Sequence, residues 1–377
     1  MLRPYEDALA RLEERGRLRQ LTLPSGYDFT SNDYLGLAES HELKDAVLAA
    51  LERGIAIGAG GSRLLRGNYS EHESLEADAA KFFGAESALF FSNGFQANYA
   101  IFAALPKRGD LVVYDALIHA SAHDGMRAGK AEIAKAAHND ANAVEDRIRA
   151  WRAGGGKGRA WIAVESLYSM DGDRAPLDDL AAIADRNEGV LVIDEAHATG
   201  VFGPDGAGLG AQLEGRENVV SLHTCGKALG SAGALVCLSR TLRNYLVNCS
   251  RPFIFSTAPS PLIAAAVRAA LRLCKEEPER REKLTRLIAF ANAAIKERCG
   301  IEGSGSQIVP VIVGADTRAT ALAAAMRSYG YDIRAIRPPT VPEKTARLRI
   351  SLTLNTSEAT VGDMLDALAH ELPRVSE

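Results

Sequence analysis

The chain has 377 residues, 47% of them apolar and 24% charged, an ordinary globular composition with room for two domains. Its net charge of −4 argues against nonspecific binding to nucleic acid or to an anionic membrane. No apolar run reaches the ~20 residues that span a bilayer, the N-terminus has no apolar signal core, and the five cysteines are scattered without metal or disulfide spacing, so a cytoplasmic protein is expected.

Residues 5–20 read as a charged amphipathic helix with Leu9, Leu12 and Leu18 near one face. An extended stretch, Phe29–Gly36, follows. From about residue 43 strands alternate with alanine-rich helices. Strands are expected at Ala88–Ser92, Leu111–Tyr114, Ala160–Glu165, Val190–Asp194, Val219–His223 and Ala234–Leu238, with helices near 72–83, 95–105, 140–152 and 177–187. This order predicts an α/β fold with a mainly parallel sheet covered by helices on both faces. The run Gly154–Gly158 reads as a surface turn. Past Pro259-Ser260-Pro261 a long helical region (about 261–298) leads to strands at Ile308–Val313 and Leu348–Leu352 around a helix at 316–329. Three segments are expected: 1–42, a helix and extended arm; 43–258, a large domain; 259–377, a smaller α+β domain.

The chemistry concentrates around one lysine. Lys227 lies in Thr224-Cys225-Gly226-Lys227-Ala228, downstream of Val192-Ile193-Asp194-Glu195-Ala196-His197 and of Tyr168-Ser169-Met170-Asp171-Gly172-Asp173. A free lysine is protonated and a poor nucleophile, and by default solvated; burial or a nearby cation releases its amine. Asp194 closes an apolar strand, where parallel sheets bind ligands. Read alone it is equally a helix N-cap. Together the lysine and the acid suggest pyridoxal phosphate, held as a Schiff base with the acid against its ring nitrogen. Asp194–His197 also spells the DEAH box of some helicases, but no G-x-x-x-x-G-K-[ST] loop is present, and that reading is discarded.

Other candidates follow from the same logic. Gly94 and Phe95 leave a strand and open a helix, so their N–H groups suit a phosphate, and the Thr224 hydroxyl adds to them. His119 follows the strand at 111–114 and offers a flat ring for stacking. His119 and His123 lack a third ligand at suitable spacing, so no metal is expected. Arg337, in Arg337-Pro338-Pro339-Thr340, suits a carboxylate, although a proline-rich surface loop is the plainer reading.

Taken together these blocks resemble the α-oxoamine synthases, pyridoxal phosphate enzymes of the type I (aspartate aminotransferase-like) fold. The resemblance runs from Ser31-Asn32-Asp33-Tyr34-Leu35-Gly36 through Gly58–Arg63, His138-Asn139-Asp140, Ser169–Asp173, Asp194–His197 and Thr224-x-Gly226-Lys227 to Arg347-Leu348-Arg349-Ile350. It implies Lys227 as Schiff-base lysine, Asp194 as ring-nitrogen partner and His119 as stacking ring. It places Ser169 and His197 at the phenolic oxygen or as holders of the ring, and Gly94, Phe95 and Thr224 around the phosphate. Arg337, Thr340, Asn32 and Arg19 are implied for the substrate. A homodimer with its site at the interface is implied, with Ser256 and Thr257 reaching the partner's phosphate. Arg63 and Arg66 either meet acyl-donor phosphates or a carrier protein, or pair with Glu71 and Glu73. The stretch Ile336–Pro342 resembles the branch that condenses L-alanine with pimeloyl-CoA or pimeloyl-acyl carrier protein in biotin synthesis. Branches using glycine or serine with another acyl-CoA are the alternative. A non-catalytic binding subunit is disfavoured because the lysine and its neighbours are all present.

Overall fold

Runs such as Val190-Leu191-Val192-Ile193 have too few polar residues for a half-exposed strand, and in the computed structural model they are buried on both sides. The structure describes residues 1–375. These fold into two units, one of Leu35–Ser169 and Arg174–Arg281, the other of Met1–Tyr34, Met170–Asp173 and the chain from Glu282.

The larger unit is built on seven strands: β1 (Ser87–Phe91), β2 (Leu111–Asp115), β3 (Glu132–Ala136), β4 (Ala160–Glu165), β5 (Val190–Asp194), β6 (Val219–Thr224) and β7 (Ala234–Leu238). Their order is β1-β7-β6-β5-β4-β2-β3. The run from β6 to β3 is parallel, and β7 is antiparallel to both its neighbours. Successive side chains divide between two cores, as a period of two requires. Val190 and Val192 join Val220, Leu222 and Ile101 on one face. Leu191 and Ile193 join Val219, Ile148, Leu180 and Ile183 on the other. The mainly parallel sheet expected from the sequence is therefore present.

Among the elements that the sequence did not announce are a strand and a helix of the larger unit. Strand β3 (Glu-Ile-Ala-Lys-Ala) lies at the sheet edge with Glu132, Ile133 and Lys135 exposed, so it has no apolar run to announce it. The helix Ala120–Ala128 is short and polar. It lies directly on the helix Gly94–Ala104: a Cβ at Gly125 would come within 2.9 Å of the Tyr99 Cα. That close approach carries Ser121 against Asn98.

The expected long helix after residue 260 is two helices, Pro261–Glu276 and Pro278–Cys299. Pro278 excludes helical backbone at the preceding residue, and Glu277 takes φ −119°, ψ 65°. The first of the pair packs on the helices His41–Glu52 and Ser70–Phe83 and so belongs to the larger unit. The break expected at Pro259 falls instead between Arg281 and Glu282.

In the other unit Ala346–Ser351 lies between Ile308–Gly314 and Ala335–Ile336, antiparallel to both. The helices Asp316–Ser328 and Glu358–Glu371 pack against each other. Tyr27–Asp28 pairs in parallel with Tyr331–Asp332. The N-terminal helix runs over Arg3–Glu14, shorter than the expected 5–20. Gly16, at φ +62°, takes the left-handed conformation that ends it.

Candidate active site

Glu165 ends β4, Asp194 ends β5 and Lys227 follows the end of β6. Asp194, the last residue of β5, is buried. Its Oδ2 accepts from Asn98 Nδ2 at 2.7 Å and its Oδ1 from the Ala196 N–H at 3.0 Å. Both donors are neutral. Asn98 sits on the helix Gly94–Ala104 and also donates to Ser121 Oγ at 3.0 Å. Ser121 Oγ lies 2.7 Å from His119 Nδ1, and the Ser121 N–H donates to that same nitrogen at 3.3 Å. A backbone N–H can only donate, so Nδ1 is an acceptor and the ring proton sits on Nε2. The chain Asp194–Asn98–Ser121–His119 thus fixes a neutral imidazole. The surrounding protein lowers the His119 pKa; the Asp194 charge opposes this and Lys227 adds to it. The residue as a whole is exposed.

Lys227 follows β6 in a tight turn. Gly230 N–H donates to the Lys227 carbonyl at 2.8 Å, and Ser231 N–H to that of Cys225 at 2.9 Å. Gly230 closes the turn at φ +61°, a conformation that suits glycine. Lys227 Nζ lies 2.7 Å from Nε2 of His197, which is buried just beyond β5. Glu165, at the end of β4, accepts the Ser169 N–H at 3.0 Å.

Asn93 caps the helix Gly94–Ala104 by accepting from the Gln96 N–H. A Cβ at Gly94 would lie 3.5 Å from Thr224 Oγ1, so the hydroxyl sits against the helix start. Gln96 Nε2 donates to Ser256 Oγ at 2.8 Å and to the Pro252 carbonyl at 2.7 Å, drawing Ser256 to the same end. Thr257 and Phe95 are exposed. The larger unit therefore gathers Lys227, His197, Asp194 and His119 at one sheet edge, and Gly94, Thr224 and Ser256 at one helix start.

The substrate candidates lie in the other unit. Arg19 NH2 donates to Thr340 Oγ1 at 3.3 Å. Arg337 donates to the Gly16 carbonyl, and Thr340 N–H returns to the Arg337 carbonyl at 3.1 Å. Arg17 is neutralised by Asp316 and Glu343, each at 2.6 Å. Arg19 and Arg337 make no ion pair among the described residues. Burial, and then the charge of Arg19, hold the Arg337 pKa below its ordinary value. Asn32 is occupied differently: its Oδ1 accepts from Arg349 NH2 at 3.0 Å and from the Tyr34 hydroxyl at 2.9 Å.

Arg63 does not pair with Glu71 or Glu73. Its guanidinium is buried, bonded to Glu76 at 2.8 Å and Asn68 at 2.6 Å, with Arg243 on the other Glu76 oxygen. A guanidinium so engaged serves the fold rather than an acyl-donor phosphate. Arg66 is exposed and makes no ion pair among the described residues.

Sequence reasoning gave no role to Asn98, Ser121, Gln96, Glu165 or Arg349. The first three stand close in sequence to Gly94 or His119, but the bonds that join Asn98 to Asp194, Ser121 to Asn98 and Gln96 to Ser256 reach partners distant in the chain. Arg349 had a signal, an arginine in the middle of an apolar strand.

Residues 25–368 match the family model described as aminotransferase class I and II. The 8-amino-7-oxononanoate synthase of Chromobacterium violaceum is 41% identical over 382 residues, covering 97% of this chain and 98% of that one. The protein of the same name from Anaeromyxobacter sp. (strain K) is 43% identical over 346 residues, covering 91% and 85%. The chain belongs to the 8-amino-7-oxononanoate synthase family. Among solved structures, the Francisella tularensis 8-amino-7-oxononanoate synthase aligns with a TM-score of 0.78 and 28% identity over 93% of this chain and 98% of that one. A serine palmitoyltransferase from S. paucimobilis, with bound pyridoxal phosphate–myriocin, aligns with a TM-score of 0.88 and 26% identity over 99% and 98%.

The fold is that of the type I pyridoxal phosphate enzymes, and pyridoxal phosphate is the family's cofactor. The residues present fit it. A buried carboxylate supplied only with neutral donors lacks the cation that a protonated ring nitrogen provides. A lysine amine follows the adjoining strand, 2.7 Å from His197, and a helix start with a hydroxyl against it suits the phosphate.

Proposed function

We propose that the chain condenses L-alanine with a pimeloyl thioester, of CoA or of an acyl carrier protein, to give 8-amino-7-oxononanoate, carbon dioxide and the free thiol. The observation that carries this reading is a lysine amine 2.7 Å from the buried His197, after the strand that adjoins the one ending in Asp194, a buried carboxylate whose hydrogen-bond donors are neutral. Bound pyridoxal phosphate supplies an electron sink for charge at the alanine α-carbon. Lys227 would hold the cofactor, and its amine, once free, would remove the α-proton of alanine. Asp194 keeps the ring nitrogen protonated. His119 stacks on the ring, while Ser169 and His197 serve the phenolic oxygen. Gly94, Phe95 and Thr224 hold the phosphate. The α-carbon attacks the thioester carbonyl, the C–S bond breaks and the thiol leaves; the former alanine carboxyl then departs as CO₂ and a proton replaces it.

Arg337 is assigned the substrate carboxylate, with Thr340 and Arg19 in support, because neither guanidinium is neutralised by an acid. Asn32 acts through Arg349 as a positioning residue. The test is thiol release by the cofactor-loaded protein with pimeloyl-CoA and, separately, L-alanine, glycine or L-serine. Release with alanine alone is expected. Release with glycine or serine instead assigns a sister reaction and overturns this one. Loss of a charge-assisted bond is worth about 1.5–3 kcal/mol, so in the same assay Arg337→Met should raise the KM for alanine roughly 10- to 100-fold. An unchanged KM removes Arg337 from the carboxylate.

A homodimer is part of the proposal. Ile57, Leu65 and Phe255 are 75%, 85% and 71% exposed. Their segments adjoin, with Ala258 N–H donating to the Gly61 carbonyl at 2.9 Å and Ser260 Oγ to that of Ile57 at 2.5 Å. An apolar face next to the helix start that would hold phosphate suits a second copy, with Ser256 and Thr257 reaching the partner's phosphate. Sedimentation should give twice the chain mass, and Leu65→Glu together with Phe255→Glu should give monomers that release cofactor faster. A variant that remains dimeric places the interface elsewhere. The absence, among the described residues, of a helix long and apolar enough to cross a membrane fits the proposed cytoplasmic setting.

A further inference from the structure

Glu165 has no role in the reaction as proposed, yet it occupies the site. It ends β4 directly in register with Asp194. The residue is buried. One carboxyl oxygen, Oε2, accepts the Ser169 N–H. The other, Oε1, is buried and has no hydrogen-bond partner among the described residues. The charged groups that act on it are Asp194 on β5, Lys227 after β6 and Asp115 on β2. Asp115 is already satisfied by His138 at 2.8 Å and by the N–H groups of Leu117 and Asn139.

Two anions at neighbouring strand ends, with water excluded, repel each other. An ionised, unpartnered Oε1 would carry a large desolvation cost. A protonated Oε1 is a donor that lacks an acceptor in the protein, and buried donors are rarely left without one. The same carboxyl group holds Ser169, the residue expected at the cofactor's phenolic oxygen.

We propose that Glu165 stands in the site as a neutral carboxylic acid that donates its Oε1 proton in a hydrogen bond to an oxygen on the phenolic side of the bound cofactor. It neither removes nor delivers a proton in turnover. The proposal rests on the pyridoxal phosphate reading of the site. Burial, reinforced by the Asp194 charge and opposed by Lys227, pushes the Glu165 carboxyl up to about 8. The folded value lies above the ordinary one. Its stabilising contribution is therefore complete below the ordinary carboxylate range and is lost as pH rises through about 8.

The test compares parent, Glu165→Gln and Glu165→Leu holoproteins. The amide is neutral and can still accept from Ser169 and donate, whereas leucine can do neither. The readouts are the pH midpoint of the lysine–cofactor absorbance band, the cofactor dissociation constant, and the rise in melting temperature on adding cofactor to each apoprotein. Glu165→Gln should keep the midpoint within about 0.3 unit and the dissociation constant within about threefold, while Glu165→Leu weakens cofactor binding about tenfold. In the apoproteins, Glu165→Gln should gain on the parent in melting temperature as pH rises from the carboxylate range to about 8. A midpoint that falls by a unit or more in Glu165→Gln would mean that a negative charge had been removed beside Lys227, and would overturn the proposal. Leucine binding cofactor as tightly as the parent would overturn it too. Because each variant is read against its own apoprotein, a merely structural glutamate lowers the melting temperature but leaves the cofactor-induced rise unchanged. If the parent itself forms no absorbance band, it is the cofactor reading that fails.

Discussion

Lys227→Ala is expected to lose the lysine–cofactor absorbance band and to cut turnover by on the order of 10³-fold or more. On the proposed reading two functions leave with one amine: the covalent hold on the cofactor and the base for the α-proton. General-base groups alone contribute about 10²–10⁴-fold. His197 lies 2.7 Å from the lysine amine, but an imidazole cannot form the Schiff base. The hydrogen bonds of Asp194 and the helix start at Gly94 do not involve Lys227, so the variant should still bind cofactor, noncovalently and more weakly. The charge of Lys227 also depresses His119. Removing it should let His119 titrate at a higher pH, visible in the imidazole proton resonances of the apoprotein. A variant that keeps its absorbance band at full intensity would place the Schiff base on another lysine.

The second large effect belongs to Asp194→Asn. The substitution keeps the shape of the side chain but removes the anion proposed to hold a ring nitrogen protonated. It also leaves the amide group facing at least one neutral donor, Asn98 or the Ala196 N–H, that needs an acceptor. Electrostatic groups of this kind are worth about 10²–10³-fold. Exchange of the alanine α-proton in deuterated buffer should slow by that order even without a thioester present, which separates proton removal from condensation. Cofactor should remain bound, since Lys227 and the phosphate-side groups are untouched. Exchange at the parental rate would remove Asp194 from the ring nitrogen.

The lysine, the aspartate and the two histidines around them were legible because each follows the end of a strand that a period-two or continuous apolar run declares. Their partners were not. Asn98 reaches Asp194 across 96 positions of sequence, and Ser121 reaches Asn98 across 23. Such pairs exist only once helices Gly94–Ala104 and Ala120–Ala128 lie against each other, and that contact depends on a bare backbone at Gly125. Arg63 is a second case. As part of a Gly-rich segment full of arginines it invites a ligand, whereas the fold buries it on Glu76 and leaves Arg66 exposed. Asn32 is a third, its carboxamide oxygen taken by Arg349 from 317 positions away.

By itself the sequence determined the parallel order of the sheet, through strands apolar enough to be covered on both faces, and the chemistry class, through a lysine and an acid placed just where such strands end. Both are local properties, set by side-chain periodicity and by the type of residue at a turn. The tertiary structure alone decided which polar groups are satisfied and which, among the described residues, are left with spare capacity: a neutral His119, an Asp194 whose hydrogen-bond donors are neutral, an Arg63 spent on the fold and a Glu165 with one oxygen unpartnered. Those outcomes depend on burial and on partners brought from distant segments, because the cost of an unpaired polar group is set by the water that packing removes.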